Sequence, residues 1–169
     1  MNMALSKNRR LISATVLVMM ILAFAFGSAV EVKAASSDSR WLVKDPYSLR
    51  PTTETFYVKG SWWWFVQKDV KLDVNLALYQ GLRITNSKTN AQILKWYQEH
   101  SKFNVSVYKE DGKTLWKSYS NLSYGKSFKI PGGSGNYKVV VTAKIDSTKQ
   151  DFQRNGFAAY TFARFKLIY

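Results

Sequence analysis

His100 is the only imidazole available to a catalytic or metal-binding centre. A His-based triad needs a nucleophile and an orienting acid around the ring. Glu99, directly beside it in sequence, points elsewhere, so His100 reads as a surface residue after a short helix. With one histidine and no cysteine, the usual zinc ligand sets cannot be assembled. Ser106-Val107-Tyr108-Lys109 and Ser123-Tyr124-Gly125-Lys126 both match Ser-x-x-Lys, in which a helical turn brings lysine over serine. The first falls on an expected strand, where positions three apart face opposite sides, and the second falls in an expected loop. Carboxylates are scarce. Asp69 and Asp73 share one expected strand face, with Lys71 between them to hold both ionised. No two acids are specified to face each other across a cleft, as glycoside hydrolysis requires. A calcium site using Asp146 and Asp151, in a polar stretch, is the alternative to the expectation of no metal and no cofactor. Gly132-Gly133-Ser134-Gly135 joins two expected strands with no helix after it, so it is a turn and not a phosphate cradle. The chain is expected not to be an enzyme.

What remains is a surface. Trp62, Trp63 and Trp64 lie near Lys59 and Lys68, and exposed aromatics beside cations suit sugar stacking, insertion at a membrane interface or stacking on bases. Three consecutive tryptophans on a strand cannot all be buried on one side of one sheet. The competing reading places two of them in the core and leaves the third partly covered. Lys138, Lys144, Arg164 and Lys166 fall on the polar faces of two strong strands. Those four make a basic stripe if the two strands are neighbours, and two ordinary solvated faces if they are not.

The elements that must position these residues are mostly strands. Val70 to Tyr79 alternates apolar and polar residues over ten positions, the mark of a half-buried strand. Trp41 to Val43, Thr53 to Lys59, Leu82 to Ile84, Phe103 to Val107, Thr114 to Tyr119 and Ser127 to Ile130 read as further short strands. Tyr137 to Ile145 is a second strongly alternating strand, and Gly156 to Tyr169 closes the chain with a third. Asp111-Gly112 supplies a hairpin turn. The only helix expected covers 91–100, capped by Asn90 and burying Ile93, Leu94 and Tyr97. Thr85 to Asn90 and Asp146 to Asn155 read as polar loops. Many short strands, Gly and Pro turns and one helix describe an all-β antiparallel β-sandwich, jelly-roll or Ig-like.

Asp111-Gly112-Lys113, Phe128-Lys129-Ile130-Pro131 and Gly135-Asn136-Tyr137-Lys138-Val139-Val140-Val141 together resemble the bacterial pre-peptidase C-terminal type of extracellular β-sandwich. The likeness spans about 43 residues, Phe103 to Ile145. It implies the fold class; members of that family are accessory or binding modules without catalytic residues, some of which bind calcium.

Lys7, Arg9 and Arg10 precede an uncharged apolar run from Leu11 to Val30, and Val32-Lys33-Ala34 offers a cleavage site. Residues 1–34 therefore read as a secretory signal peptide cut after Ala34, with an uncleaved membrane anchor as the alternative. Either way the body is expected outside the cytoplasm. Residues 35–40 read as a flexible lead-in and 41–169 as a single domain. Without the leader, 21 basic residues face 10 acidic ones, a net charge of +11, and all six tryptophans and ten tyrosines remain. A basic, aromatic-rich exported domain is drawn to polyanions. The absence of cysteine favours a bacterial exporter and excludes a disulfide-linked partner. The expected role is non-enzymatic binding to an anionic cell-wall polymer, glycan or membrane surface at the cell envelope, with no specific nucleic acid partner. The alternative is a bacteriocin-like toxin acting on the membranes of target cells.

Overall fold

A computed structural model describes residues 34–43, 49–78, 89–156 and 161–169. Among them the strands are β1 (Arg40–Trp41), β2 (Thr52–Lys59), β3 (Lys68–Leu78), β4 (Ser101–Tyr108), β5 (Leu115–Ser123), β6 (Ser127–Ile130), β7 (Asn136–Ile145) and β8 (Thr161–Ile168). Helix α1 (Asn90–His100) precedes β4, and one helical turn, Lys149–Asp151, widens into a π-turn, Phe152–Gly156, before β8. The strands form two four-stranded sheets, ordered β1-β8-β3-β6 and β2-β7-β4-β5. Every strand pair is antiparallel. This is the expected β-sandwich.

The alternation in the sequence sets which face of each strand goes inward. Leu72 and Val74 of β3 pair with Leu167 and Phe165 of the neighbouring β8, Val70 pairs with Phe128 of β6, and all six are buried. Across the interior, β2 contributes Phe56 and Val58, β4 contributes Phe103, Val105 and Val107, and β7 contributes Val139, Val141 and Ala143. Phe165 joins the two layers. Its ring lies 5.8 Å from Phe56 and 5.6 Å from Phe103, both on the opposite sheet.

Five local expectations are corrected. Residues 35–40, expected as a flexible lead-in, run along β8: Ser36 bridges Ile168, the Ser37 amide donates to the Leu167 carbonyl, and the Tyr169 amide donates to the Ala35 carbonyl. The Ser37 hydroxyl also accepts from the Leu167 amide at 2.9 Å, which fixes that small polar residue in register. The helix cap is Thr89 and not Asn90, because Thr89 and Gln92 exchange hydrogen bonds in a capping box. The buried face of α1 is Ile93, Trp96 and Tyr97, with Leu94 only half-buried. The stretch read as a polar loop after Ile145 carries Phe152, fully buried against Trp96 and Tyr97. Asp69 and Asp73 take their partners from neighbouring strands instead of from Lys71: Lys129 at 3.5 Å and Lys166 at 3.9 Å. The strand read at Leu82 to Ile84 and the loop beginning at Thr85 lie outside the described residues, apart from the loop's last two positions.

Candidate functional site

At one end of the sandwich β2 finishes, β7 begins, and the β4–β5 turn and the 131–135 loop close the ends of their strands. Here the chain leaves β2 at Gly60, and five apolar residues in succession, Trp62 to Val66, form a projecting loop before β3. Trp62 is 85% exposed, Trp64 80%, Phe65 64% and Trp63 59%. The reading that placed two tryptophans in the core is therefore overturned. Its premise, strand alternation, does not apply, because residues 62–66 are bends and turns between β2 and β3.

The loop is held in shape by backbone contacts at its base. Ser61 forms a parallel bridge with Gly132, and its hydroxyl donates to the carbonyls of Trp63, at 2.7 Å, and Val66. The Val66 amide and the Gly133 amide both donate to the Trp63 carbonyl, at 3.1 and 3.2 Å. Gly132 makes this approach feasible: a Cβ there would lie 2.5–2.6 Å from the carbonyl oxygens of Trp63, Trp64 and Val66. Gly60 is pressed equally hard, since a Cβ would lie 2.7 Å from the Tyr137 ring. Tyr137 itself is buried, and its hydroxyl donates to the Gly132 carbonyl at 2.6 Å. The polar backbone is thus satisfied at the base, while the apolar side chains are left facing solvent.

The remaining large hydrophobics exposed among the described residues, Tyr57 and Leu115, lie at this same end. Tyr57 pairs across with Lys138, whose Nζ stands 5.3 Å over the Tyr108 ring, and Tyr108 pairs with Leu115. Lys68 donates to the Lys59 carbonyl at 3.1 Å and stands 5.0 Å over the Tyr169 ring. Partial burial, then the Lys59 charge, pulls Lys68 below its ordinary pKa. Of the residues singled out in the sequence, Trp62, Trp63, Trp64, Lys59, Lys68 and Lys138 are brought together here.

The other three are not. β7 and β8 lie in different sheets, so Lys138 and Lys144 share no face with Arg164 and Lys166, and the basic stripe does not form. Lys144 sits far along β7, opposite Lys102. Arg164 stacks 4.5 Å over the Trp41 ring, and Lys166 pairs with Asp73. The sequence reading missed Phe65, Val66, Tyr57, Leu115 and the two glycines beneath the loop. The available signal was a run of five apolar residues without alternation, placed between two strands that do alternate.

Three of the residues considered for chemistry, Asp151, His100 and Ser123, hold partners within the fold. Asp151 accepts from the Trp96 indole at 3.1 Å, from Ser147 at 2.9 Å and from Asn155. The Ser147 hydrogen bond, with smaller help from Trp96, Asn155 and nearby His100, holds its carboxyl below the usual range. His100 stacks on Trp96 at 4.4 Å and contacts the Trp96 carbonyl through Nδ1. The Ser123 hydroxyl accepts from the Lys102 side chain at 2.8 Å, while Lys126 reaches Ser123 through its backbone amide, which donates to the Ser123 carbonyl at 3.2 Å. Among the described residues no three acidic, histidine or cysteine side chains gather to hold a metal, and no helix is long and apolar enough to cross a membrane. Comparison with family models, curated proteins and solved structures finds no match.

Proposed function

We propose that this protein is an exported, non-enzymatic β-sandwich that docks on anionic lipid membrane through the Trp62–Val66 loop. One observation carries the reading. Every large hydrophobic residue exposed among the described residues lies at one end of the sandwich, and five of them are consecutive in a loop clamped at its base. Contiguous exposed apolar surface rimmed by polar groups marks an interaction site. Tryptophan favours the membrane–water boundary, where its apolar ring and polar N–H are both accommodated. Lys59, Lys68 and Lys138 at the same end supply attraction to an anionic surface, about 1 kcal/mol per cation near the membrane.

The ring geometry favours membrane over glycan. Sugar stacking calls for a flat aromatic platform with polar groups at its edge. Here Phe65 meets Trp64 at 87° and Trp63 at 39°, so the loop presents a rounded tip. A tip of five residues reaches only the headgroup and upper acyl region, roughly 5–10 Å deep, against a hydrocarbon core of about 30 Å. Docking without perforation follows. Co-sedimentation with phosphatidylglycerol vesicles, parallel pull-down on purified wall material, and dye release from the same vesicles test the reading together. Retention on vesicles with the dye held inside is the expected result. Retention on wall material alone would return the wall-binding reading, and rapid dye release would favour the toxin.

A further inference from the structure

Beside the tip loop lies a cleft of about 500 Å³, lined by Lys109, Glu110, Asp111, Trp116, Pro131 and Tyr137. Its size falls in the range of small-molecule sites, roughly 300–1,000 Å³. It is continuous with the base of the loop, because Pro131 adjoins Gly132 and the Tyr137 ring packs beneath Gly60. The charges in it are unequally satisfied. Asp111 is fully engaged: it accepts from the amides of Lys113 and Thr114, both at 2.8 Å, and from the Thr114 hydroxyl. Glu110 is not. Among the described residues its one hydrogen bond is from the Tyr137 hydroxyl at 3.3 Å, whose single proton also faces the Gly132 carbonyl at the much shorter 2.6 Å, and its side chain lies against Gly135. Among the described residues Glu110 makes no ion pair, and its side chain is exposed to solvent.

A carboxylate without a cation, set among a tryptophan, a tyrosine and a proline, is complementary to an alkylammonium group. The ring faces attract the cation and the carboxylate neutralises it. Lys109, adjoining Glu110 in the wall, is complementary to a phosphate. The cleft therefore carries one group for each end of such a headgroup, a carboxylate for the ammonium and a lysine for the phosphate. Resting on the membrane-docking reading above, we infer that this cleft receives the phosphocholine or phosphoethanolamine headgroup of a zwitterionic phospholipid while the Trp62–Val66 loop enters the same bilayer.

The test holds charge constant and varies only the headgroup. Vesicles with a fixed fraction of phosphatidylglycerol are completed either with phosphatidylcholine or with digalactosyldiacylglycerol, which is neutral and lacks an ammonium group. The wild-type protein is expected to bind the phosphatidylcholine vesicles about tenfold more tightly. Glu110→Gln should abolish that preference, binding the two vesicle types with equal affinity whatever its removal of a negative charge does to both. Equal affinity of the wild type for both compositions overturns the headgroup site and leaves docking intact. Failure to bind either composition overturns docking itself. Titration of soluble phosphocholine, followed by the Trp116 indole NMR signal, then decides the cleft independently. A saturable shift in the wild type, absent in Glu110→Gln, supports the site, and an unmoved Trp116 signal rejects it.

Discussion

Single atoms decide how the tip is held. Gly132 is needed for proximity: three carbonyl oxygens of the apolar loop occupy the space where a side chain would begin. Backbone oxygens cannot swing aside as a side chain can, so Gly132→Ala must displace the loop or the 131–135 segment. Overpacking of this kind costs about 1–3 kcal/mol. The expected outcome is a melting temperature lower by several degrees and weaker vesicle binding, measured by calorimetry and co-sedimentation. Gly125→Ala makes a useful contrast. A Cβ there meets nothing within 4 Å, and only its positive φ of 75° resists substitution, so stability should fall while vesicle affinity does not. Asp111 offers a pH signature beside the cleft. Hydrogen bonds from the Thr114 hydroxyl, then from the Thr114 and Lys113 amides, hold its carboxyl down to about 2. The folded value lies below that of the unfolded chain, near 3.9. The contribution to stability is therefore complete above roughly pH 4 and is lost as the pH falls through about 2. The amide signals of Lys113 and Thr114 should titrate together with a midpoint near 2, and Asp111→Asn should remove that transition. A midpoint near 4 would mean the turn is not closed this way.

At the scale of elements, the strands were legible and the connections between them were less so. Val70–Val74 and Ala163–Leu167 alternate strictly, Tyr137–Ile145 does so but for Val140, and each buries the face its pattern assigns. Pairing is another matter. Nothing in two alternating strands says whether they share a sheet, so the neighbourhood of Lys138 and Arg164 could not be read from periodicity. The connections were misread where hydrophobicity is local and nonperiodic. Phe152 is one aromatic residue in a polar stretch, yet it is the anchor that seats the π-turn against α1. The Trp62–Val66 run was read by strand rules although Gly60-Ser61 had already ended the strand. The helix start shows the same limit at shorter range. Asn90 and Thr89 are both good caps, and only the reach of Gln92 back to the Thr89 amide, at 2.9 Å, selects threonine. Thr89→Ala removes the acceptor for the Gln92 amide and should lower stability by about 1 kcal/mol. Urea unfolding is the measurement, with the midpoint falling and the m-value unchanged. An unchanged midpoint would show that packing of Ile93, Trp96 and Tyr97 alone fixes the start of α1.

For the whole molecule, charge and apolar tip should act on membrane binding in separable ways. The net charge of +11 over residues 35–169 acts at a distance and is screened by salt, over about 10 Å at 0.1 M but only about 3 Å at 1 M. The tip acts only on contact, and withdrawing a large apolar side chain from water gains about 1.5–3 kcal/mol whatever the ionic strength. Salt should therefore weaken vesicle binding steeply at first and then level off at a residue owed to the tip. Trp62→Ser with Trp64→Ser removes two such side chains. It should lower affinity at least about a hundredfold at high salt, at about 1.4 kcal/mol per factor of ten, while the slope against salt stays that of the wild type. Lys59→Gln with Lys68→Gln and Lys138→Gln should do the reverse, flattening the slope and leaving high-salt binding nearly intact. Because both sets lie outside the buried core, neither is expected to shift the melting temperature by more than a few degrees. If the tryptophan pair instead changed only the salt slope, or if binding vanished completely at high salt in the wild type, the tip would not be entering the bilayer. The attraction would then be electrostatic alone, of a kind that any polyanion at the envelope could satisfy.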